Sequence, residues 1–523
     1  MLKSKDIYPI YYLILMMVVP LGLIFGPLIP EIALFFMTIS LISKKYEILN
    51  VLQIFKKSFL FFFAFYILII ISSIFSLDPN ESLLKSVSYL RFFLLILFTY
   101  FIFRNQKNID LFCIFLIVIF SILFFDTNLQ YWSGSNIIGY KYYFNRASSF
   151  FNDELILGSY TARIFPIALS LIFFSTLKNK KFYIYYLSLI SFIIIFLSSE
   201  RTAFFLFLIT IIILSFLKNF RINLVIFLVV ISIGILSGII SNDRLINHTI
   251  SQFYDKDQKK FFIFSERHQN HYISAWKIFI DHKILGAGIK SFRKLCSLEV
   301  YSRDILNNQI KQSQKLISPI DGEALLVREN SSKTNYLIIF EKKIPSDIAY
   351  QIKQSDFSPY FYLDNKKKNH IFDLNQDNFV VIPQHLKFLP SKIIQQFLFF
   401  DLKNLNSFKI RKGQLLAKIP RDQFIDGCNT HPHNTYIQLL SETGIMSFLI
   451  VLIVFIFVTI GLLKYLIKSL STSNNYNYGI LMLYICFFIN LFPFIPTGSF
   501  YNNFLSFIYF LPIGIYYALI KND

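Results

Sequence analysis

Apolar runs long enough to cross a bilayer recur from one end of this chain to the other. They lie near residues 7–26, 27–43, 58–76, 88–104, 109–125, 156–177, 182–198, 202–217, 222–240, 447–463, 478–496 and 501–519. A helix needs about 20 apolar residues to span the hydrocarbon core, so these runs give about twelve transmembrane helices. The expected fold class is an all-α polytopic membrane protein. A chain that is 55% hydrophobic and only 16% charged is not an ordinary soluble protein. The first run has no small-residue cleavage site and is followed at once by another, so it is expected to be retained as a span.

Charge fixes the expected orientation. Lys44, Lys45, Lys56 and Lys57 fall between spans two and three; Arg104 and Lys107 follow span four. Lys178, Lys180 and Lys181 follow span six, Lys218 and Arg221 separate spans eight and nine, and Lys464, Lys468 and Lys521 come later. All land on one side if both termini are cytoplasmic, as the excess of Lys and Arg in cytoplasmic loops requires. The net charge of +20 is thereby partly explained without nucleic acid. The remainder sits in one long loop, where a basic surface suits anionic membrane lipids or a phosphate-bearing substrate.

This count divides the chain into residues 1–240 with spans one to nine, a large outer loop over 241–446, and residues 447–523 with the last three spans. A smaller outer segment covers 126–155. Within the large loop, 265–295 has a helical pattern that breaks at Leu285-Gly286-Ala287-Gly288. Residues 300–420 form the expected β-rich insert. Its apolar stretches, Ala324 to Val327, Tyr336 to Phe340 and Phe379 to Ile382, are separated by Lys, Asp, Asn and Ser and read as strands. Ser318 to Glu323 and Ile410 to Ile419 loosely resemble the halves of a barrel-sandwich hairpin, without the lipoyl-type Lys at the turn. Four cysteines are too few for a disulfide framework. Cys113 and Cys486 fall in apolar runs, whereas Cys296 and Cys428 bracket the inner part of the loop.

The polar stretch from Cys428 to Gly444 lies where that loop returns to the bilayer. Pro432 suits a first helical turn and Gly444 a helix stop, which predicts a helix over 432–444. His433 would then lie beside unpaired backbone N–H groups, a place that favours anions, and a neutral imidazole there could act as a general base. The alternative is a capped surface helix carrying an incidental histidine. Arg201, in Ser198-Ser199-Glu200-Arg201-Thr202-Ala203, is an outer-side cation on a face otherwise short of them. It is either a phosphate-binding group or half of an Arg–Glu pair reaching the headgroups. Arg146 and Arg267 are further outer-side candidates. Arg163, inside span six, is expected to pair with Asp153, Glu154 or a ligand anion, because a lone charge in the membrane is costly. His268 with His271, and His431 with His433, have spacings that zinc could use, but no sequence feature brings the two pairs together.

Taken in order, Arg146 to Tyr160, Ser199 to Ala203, Arg267 through Trp276 to Gly288, and His431 to Gly444 resemble the O-antigen ligase/polymerase family of bacterial membrane glycosyltransferases. The His-Pro-His-Asn segment followed by Glu-Thr-Gly is the most specific piece. The chain departs from the family pattern at 300–420, where the loop is longer than usual. The resemblance implies a metal-independent, inverting enzyme of GT-C type in the bacterial inner membrane, with no cofactor and a periplasmic active site. It implies a glycan donor on undecaprenyl diphosphate and a lipid A–core or glycan acceptor. His433 aligns with the family's base, and Arg201 and Arg267 with its diphosphate-binding arginines; Arg146 would join them. Glu442, Asn434 and Arg163 would support the site. A periplasmic loop is oxidising, so Cys296 and Cys428 become a disulfide candidate. A ligase, the related polymerase, and more remotely a polysaccharide or lipid transporter are the functions compared. Transporters gather polar residues near the midplane, whereas the polar candidates here gather at one face.

Overall fold

The computed structural model describes residues 10–42, 51, 56–142, 146–217, 220–221, 225, 254–255, 260–261, 266–296, 298, 300–301, 314–317, 323–328, 335–340, 362–363, 369–370, 379–383, 408–420, 428, 430–472 and 474–520. The described helices are α1 (Ile10–Phe25), α2 (Leu28–Ile42), α3 (Lys56–Ile74), α4 (Pro79–Ser88), α5 (Arg91–Phe103), α6 (Gln106–Ser133), α7 (Leu157–Phe174), α8 (Lys180–Ser198), α9 (Arg201–Phe216), α10 (Glu266–Asp281), α11 (Phe292–Leu295), α12 (Thr435–Ser471), α13 (Asn475–Asn490) and α14 (Asn503–Leu519). Among the described residues five helical stretches are long and apolar enough to cross a membrane: 79–103 (α4 with α5), α6, α7, α8 and α12. Shorter apolar helices occupy α1, α2, α3, α9 and α14. The expected ninth span, 222–240, lies outside the described residues apart from Val225.

Capping explains many of the boundaries. Asn105, Asn474 and Asn502 accept the N–H of Lys107, Tyr476 and Phe504 through their side chains, satisfying donors at the starts of α6, α13 and α14. Asp78 does the same for Glu81, with Pro79 at the first helical position. Gly134 ends α6 in the left-handed conformation.

The chain divides into two compact units. The first takes the described residues up to 261, residues 279–291 and everything from His433 onward; the second takes the described residues of 264–278 and 292–432.

In the first unit α7 is buried nearly all round and packs between α8 and α13. α5 packs along α14, with Phe92 stacked on Phe510. α12 is the opposite case. Only 17% of its apolar window is buried, a surface that water would not tolerate and lipid would. The connections gather at the two ends of the bundle. At one end Gln106 bonds the Phe174 carbonyl and Asp110 accepts from Thr176. At the other end meet residues 26–31, 77–91, 134–142, 146–156, 199–200, 282–291, 433–444 and 491–503.

In the second unit β3 (Gln314–Ile317), β4 (Glu323–Arg328), β5 (Asn335–Phe340), β8 (Phe379–Pro383) and β9 (Phe408–Pro420) form one antiparallel sheet of order β3-β4-β9-β5-β8. The long β9 pairs with β5 through 408–413 and with β4 through 414–420. The short strands β6 (Tyr362–Leu363) and β7 (Asn369–His370) pair separately, and in the first unit so do β1 (Tyr254–Asp255) and β2 (Lys260–Phe261). Cys296 and Cys428 are joined by a disulfide, with their Cα atoms 5.2 Å apart.

Candidate functional site

Two groups of polar residues in the first unit hold most of the sequence candidates. The first lies where α6, α7, α8 and α9 meet. Arg146 donates through Nε to the Ser198 carbonyl at 3.1 Å and through Nη2 to the Leu155 carbonyl at 3.1 Å. It is thus fixed by the C-terminus of α8 and the approach to α7. Glu200, in the two-residue connection between α8 and α9, accepts from the backbone N–H of Gly158 at 2.7 Å and of Ser159 at 3.1 Å. A carboxylate there completes the first turn of α7. Each of its oxygens accepts one backbone N–H of α7. Burial pushes the Glu200 carboxyl up to about 7, against the pull of Arg146, the two backbone N–H groups and Arg163. Arg201 is exposed at the first position of α9, near enough to Arg146 for the two charges to act on each other. Two guanidinium groups are therefore held together beside a single carboxylate.

Arg163 differs from expectation. Asp153 and Glu154 are exposed, and Arg163 is buried on α7. Its Nη1 donates to Asn490 Oδ1 at 2.5 Å and its Nε to Ser159 Oγ at 3.3 Å. Neutral oxygens, one from Asn490 on α13 and one from Ser159 a turn earlier on α7, replace the expected carboxylate, because the helix carries the side chain inward rather than toward the loop that holds the acids. Asn490 carries no sequence signal beyond being an amide in an apolar run.

The second group surrounds His433. α12 begins at Thr435, not at Pro432, and Asn434 is its cap. Asn434 Oδ1 accepts the N–H of Tyr436 at 3.0 Å and of Ile437 at 3.1 Å, so these donors are already satisfied. Its Nδ2 donates to the carbonyls of Pro493 at 2.7 Å and Ile495 at 3.2 Å. The amide is consumed by backbone, and Asn434 positions the chain rather than facing a substrate. His433 precedes the cap in the left-handed conformation with φ 54°, and its carbonyl accepts from the Thr497 N–H at 2.8 Å. A side chain other than glycine held there is mildly strained, a feature that clusters at functional sites.

Gly444 interrupts the helix: its φ of 74° and ψ of −178° are not helical, so α12 consists of two helical stretches that meet at this bend, the second running on to Ser471. Glu442 is buried just before the kink, and its Oε2 accepts from Gln438 Nε2 at 2.8 Å. Gln438 also donates to Ser499 Oγ and accepts from the Phe500 N–H. Gln438 escaped the sequence reading, although its four-residue spacing from Glu442 was a usable signal.

The two groups share a neighbour in the loop after α13. Phe492 packs against Phe205, one turn along from Arg201, at 5.7 Å between ring centres. The next residues of the same loop, Pro493, Ile495 and Thr497, hold Asn434 and His433. The remaining candidates belong to the second unit. Arg267 lies in the first turn of α10, and its side chain falls outside the described residues. His271 is buried there, stacked near Phe292, with the His268 ring 6.4 Å away; His431 bonds Thr430 Oγ1 through Nδ1. Among the described residues no group of three His, Cys, Asp or Glu side chains could hold a metal ion.

The apolar helices and the polar end of their bundle define a multi-pass helical membrane protein. Within it, a family model described as O-Antigen ligase matches residues 186–318, which supports the resemblance to the O-antigen ligase/polymerase family. The match includes Arg201 and Arg267 and ends before His433. No curated protein matches the chain.

Proposed function

We propose that the protein transfers a glycan from undecaprenyl diphosphate to an acceptor hydroxyl, by the O-antigen ligase reaction, at the periplasmic face of the bacterial inner membrane. Arg146 and Arg201 bind the diphosphate, a role that the family resemblance also gives to Arg267. They stabilise the negative charge that grows on it as the bond from the anomeric carbon to the diphosphate oxygen breaks. His433 takes the proton of the acceptor hydroxyl as its oxygen forms the new bond to the anomeric carbon. Attack opposite the leaving group inverts that centre. Asn434 and the 493–497 loop position His433 through the main chain, and Glu442 lies further along the same helix. In this reading the chemistry proceeds without a metal or cofactor.

The observation that carries the proposal is the pair of adjacent guanidinium groups at Arg146 and Arg201, on the same end of the bundle as His433 and linked to it through residues 492–497. The ligase, with a lipid A–core acceptor, is the first reading; the polymerase, whose acceptor is another lipid-linked glycan, is the second. Purified protein given a lipid-linked glycan and each acceptor, with and without chelator, tests it. Transfer to lipid A–core that survives chelation is expected. Transfer only to a second lipid-linked glycan would make the protein a polymerase. His433→Ala should abolish product while insertion and yield stay normal; near-normal product would remove His433 as the base.

A further inference from the structure

A second polar cluster lies apart from Arg146, Arg201 and His433, on α4 and its neighbours. α4 is amphipathic in an inverted sense. Its buried positions are serines: Ser82 donates to the Ile289 carbonyl at 2.8 Å, and Ser86 bonds Ser73 and the Ser82 carbonyl. Its outward positions are apolar, with Leu84 76% and Val87 56% exposed. Phe75 and Leu77, just before it, are exposed as well. A helix that turns serines inward and leucine outward is bordered by lipid.

Five charged groups meet beside this face. Arg91 pairs with Glu31, Nε to Oε2 at 2.8 Å, and Lys290 pairs with Glu81 at 3.1 Å. Lys85 is the fifth. Among the described residues its Nζ has only Asn503 Oδ1, a neutral oxygen at 3.0 Å, which also accepts from Arg91 Nη2 at 2.9 Å. The charges of Arg91, Lys290 and, in the opposite sense, Glu31 act on Lys85. Among the described residues three cations thus face two carboxylates, and Lys85, which has no carboxylate within ion-pair distance, is half-buried beside exposed Leu84 and Val87. An ammonium so placed has donors to spare and needs an anion.

We propose that this cluster binds the phosphate of an anionic lipid headgroup, with Lys85 as the principal donor and the acyl chains lying along Leu84 and Val87. The partner is a lipid and not free phosphate, because the apolar positions flanking the cation have no role toward a soluble ion. The site adjoins the bend in α12: Ile289 and Lys290 hold α4, and Ala287 and Gly288 donate to the carbonyls of Ser441 and Glu442.

The test uses the full-length protein in a neutral detergent. It is titrated with short-chain phosphatidylglycerol, the matching phosphatidylcholine and glycerol phosphate, and read by native mass spectrometry and thermal unfolding. Phosphatidylglycerol should bind tightest, and Lys85→Gln should weaken it about tenfold or more, the effect of removing one charge-assisted hydrogen bond. Lys468→Gln, at the opposite end of the bundle, should change nothing. Leu84→Asn with Val87→Asn alters only exposed positions; it should weaken the lipid and leave glycerol phosphate unaffected. That variant carries the test if Lys85→Gln fails to insert. Unchanged lipid binding in either variant overturns the site. Equal stabilisation by glycerol phosphate alone overturns the assignment to a lipid. Neither result bears on glycan transfer.

Discussion

Glu200 ties the connection between α8 and α9 to the start of α7. It completes the first turn of α7 and offsets part of the charge of Arg146 and Arg163. Burial holds its carboxyl at about 7, above the ordinary value of 4.5. In that interval the folded chain keeps a proton that the unfolded chain has released. The stability this protonation contributes is complete below about pH 4.5 and is lost as the pH rises through about 7. Glu200→Gln cannot ionise and offers one acceptor where two are used, so it should cost about 1–2 kcal/mol at acid pH. It should also flatten the fall in thermal stability between pH 4.5 and 7. An unchanged slope in detergent-solubilised protein would mean that Glu200 does not titrate there. Arg201 is tested by chemistry of another kind. Arg201→Lys keeps the charge and loses the planar fork, so transfer should fall about tenfold or more if phosphate is gripped at two points. Equal turnover in the lysine variant would show that charge alone suffices.

At the scale of elements, the bend in α12 is held by backbone meeting backbone. Ala287 and Gly288 donate to the carbonyls of Ser441 and Glu442 at 3.0 and 2.8 Å, and Ile445 donates to the Lys283 carbonyl at 2.9 Å. Such an approach leaves no room for side chains. A Cβ on Gly444 would lie 2.0 Å from the Ile284 carbonyl oxygen, and one on Gly286 would lie 2.3 Å from the Glu442 backbone. Both glycines also have positive φ. Gly286→Ala and Gly444→Ala therefore combine strain with a clash that no side chain can relieve. Each should cost about 3 kcal/mol or more. Gly134→Ala separates the two effects, since Gly134 has φ 81° and nothing within 4 Å of an added Cβ. It should cost about 1 kcal/mol, from conformation alone. Thermal unfolding of the three variants checks the order; equal losses would mean that close approach contributes nothing.

Over the whole molecule, what the sequence revealed followed from solvent and period. Long apolar runs located helices because lipid leaves the backbone no other partner, and the short apolar stretches between polar residues coincide with β4, β5 and β8. Contacts remote in sequence were hidden. Nothing local tells that Arg163 meets Asn490, or that Glu200 reaches back to Gly158. The start of α12 was misplaced because Pro432 and Asn434 both suit a helix beginning, and tertiary bonds to Pro493 and Ile495 favour Asn434. The long insert disturbs the order of motifs less than its length suggests. Cys296 and Cys428 are 132 residues apart in sequence, yet their Cα atoms are 5.2 Å apart, so the chain leaves and returns at one point. A bridge across so long a loop removes much of the unfolded chain's freedom, about 4–5 kcal/mol in the loop-entropy account. The double variant Cys296→Ser with Cys428→Ser should lower the stability of the second unit by that order, with cleavage inside 297–427 at lower protease doses. The helices of the first unit should melt as before, because the bridge lies wholly within the second. Equal protease resistance with and without the bridge would show that the sheet holds its own ends together.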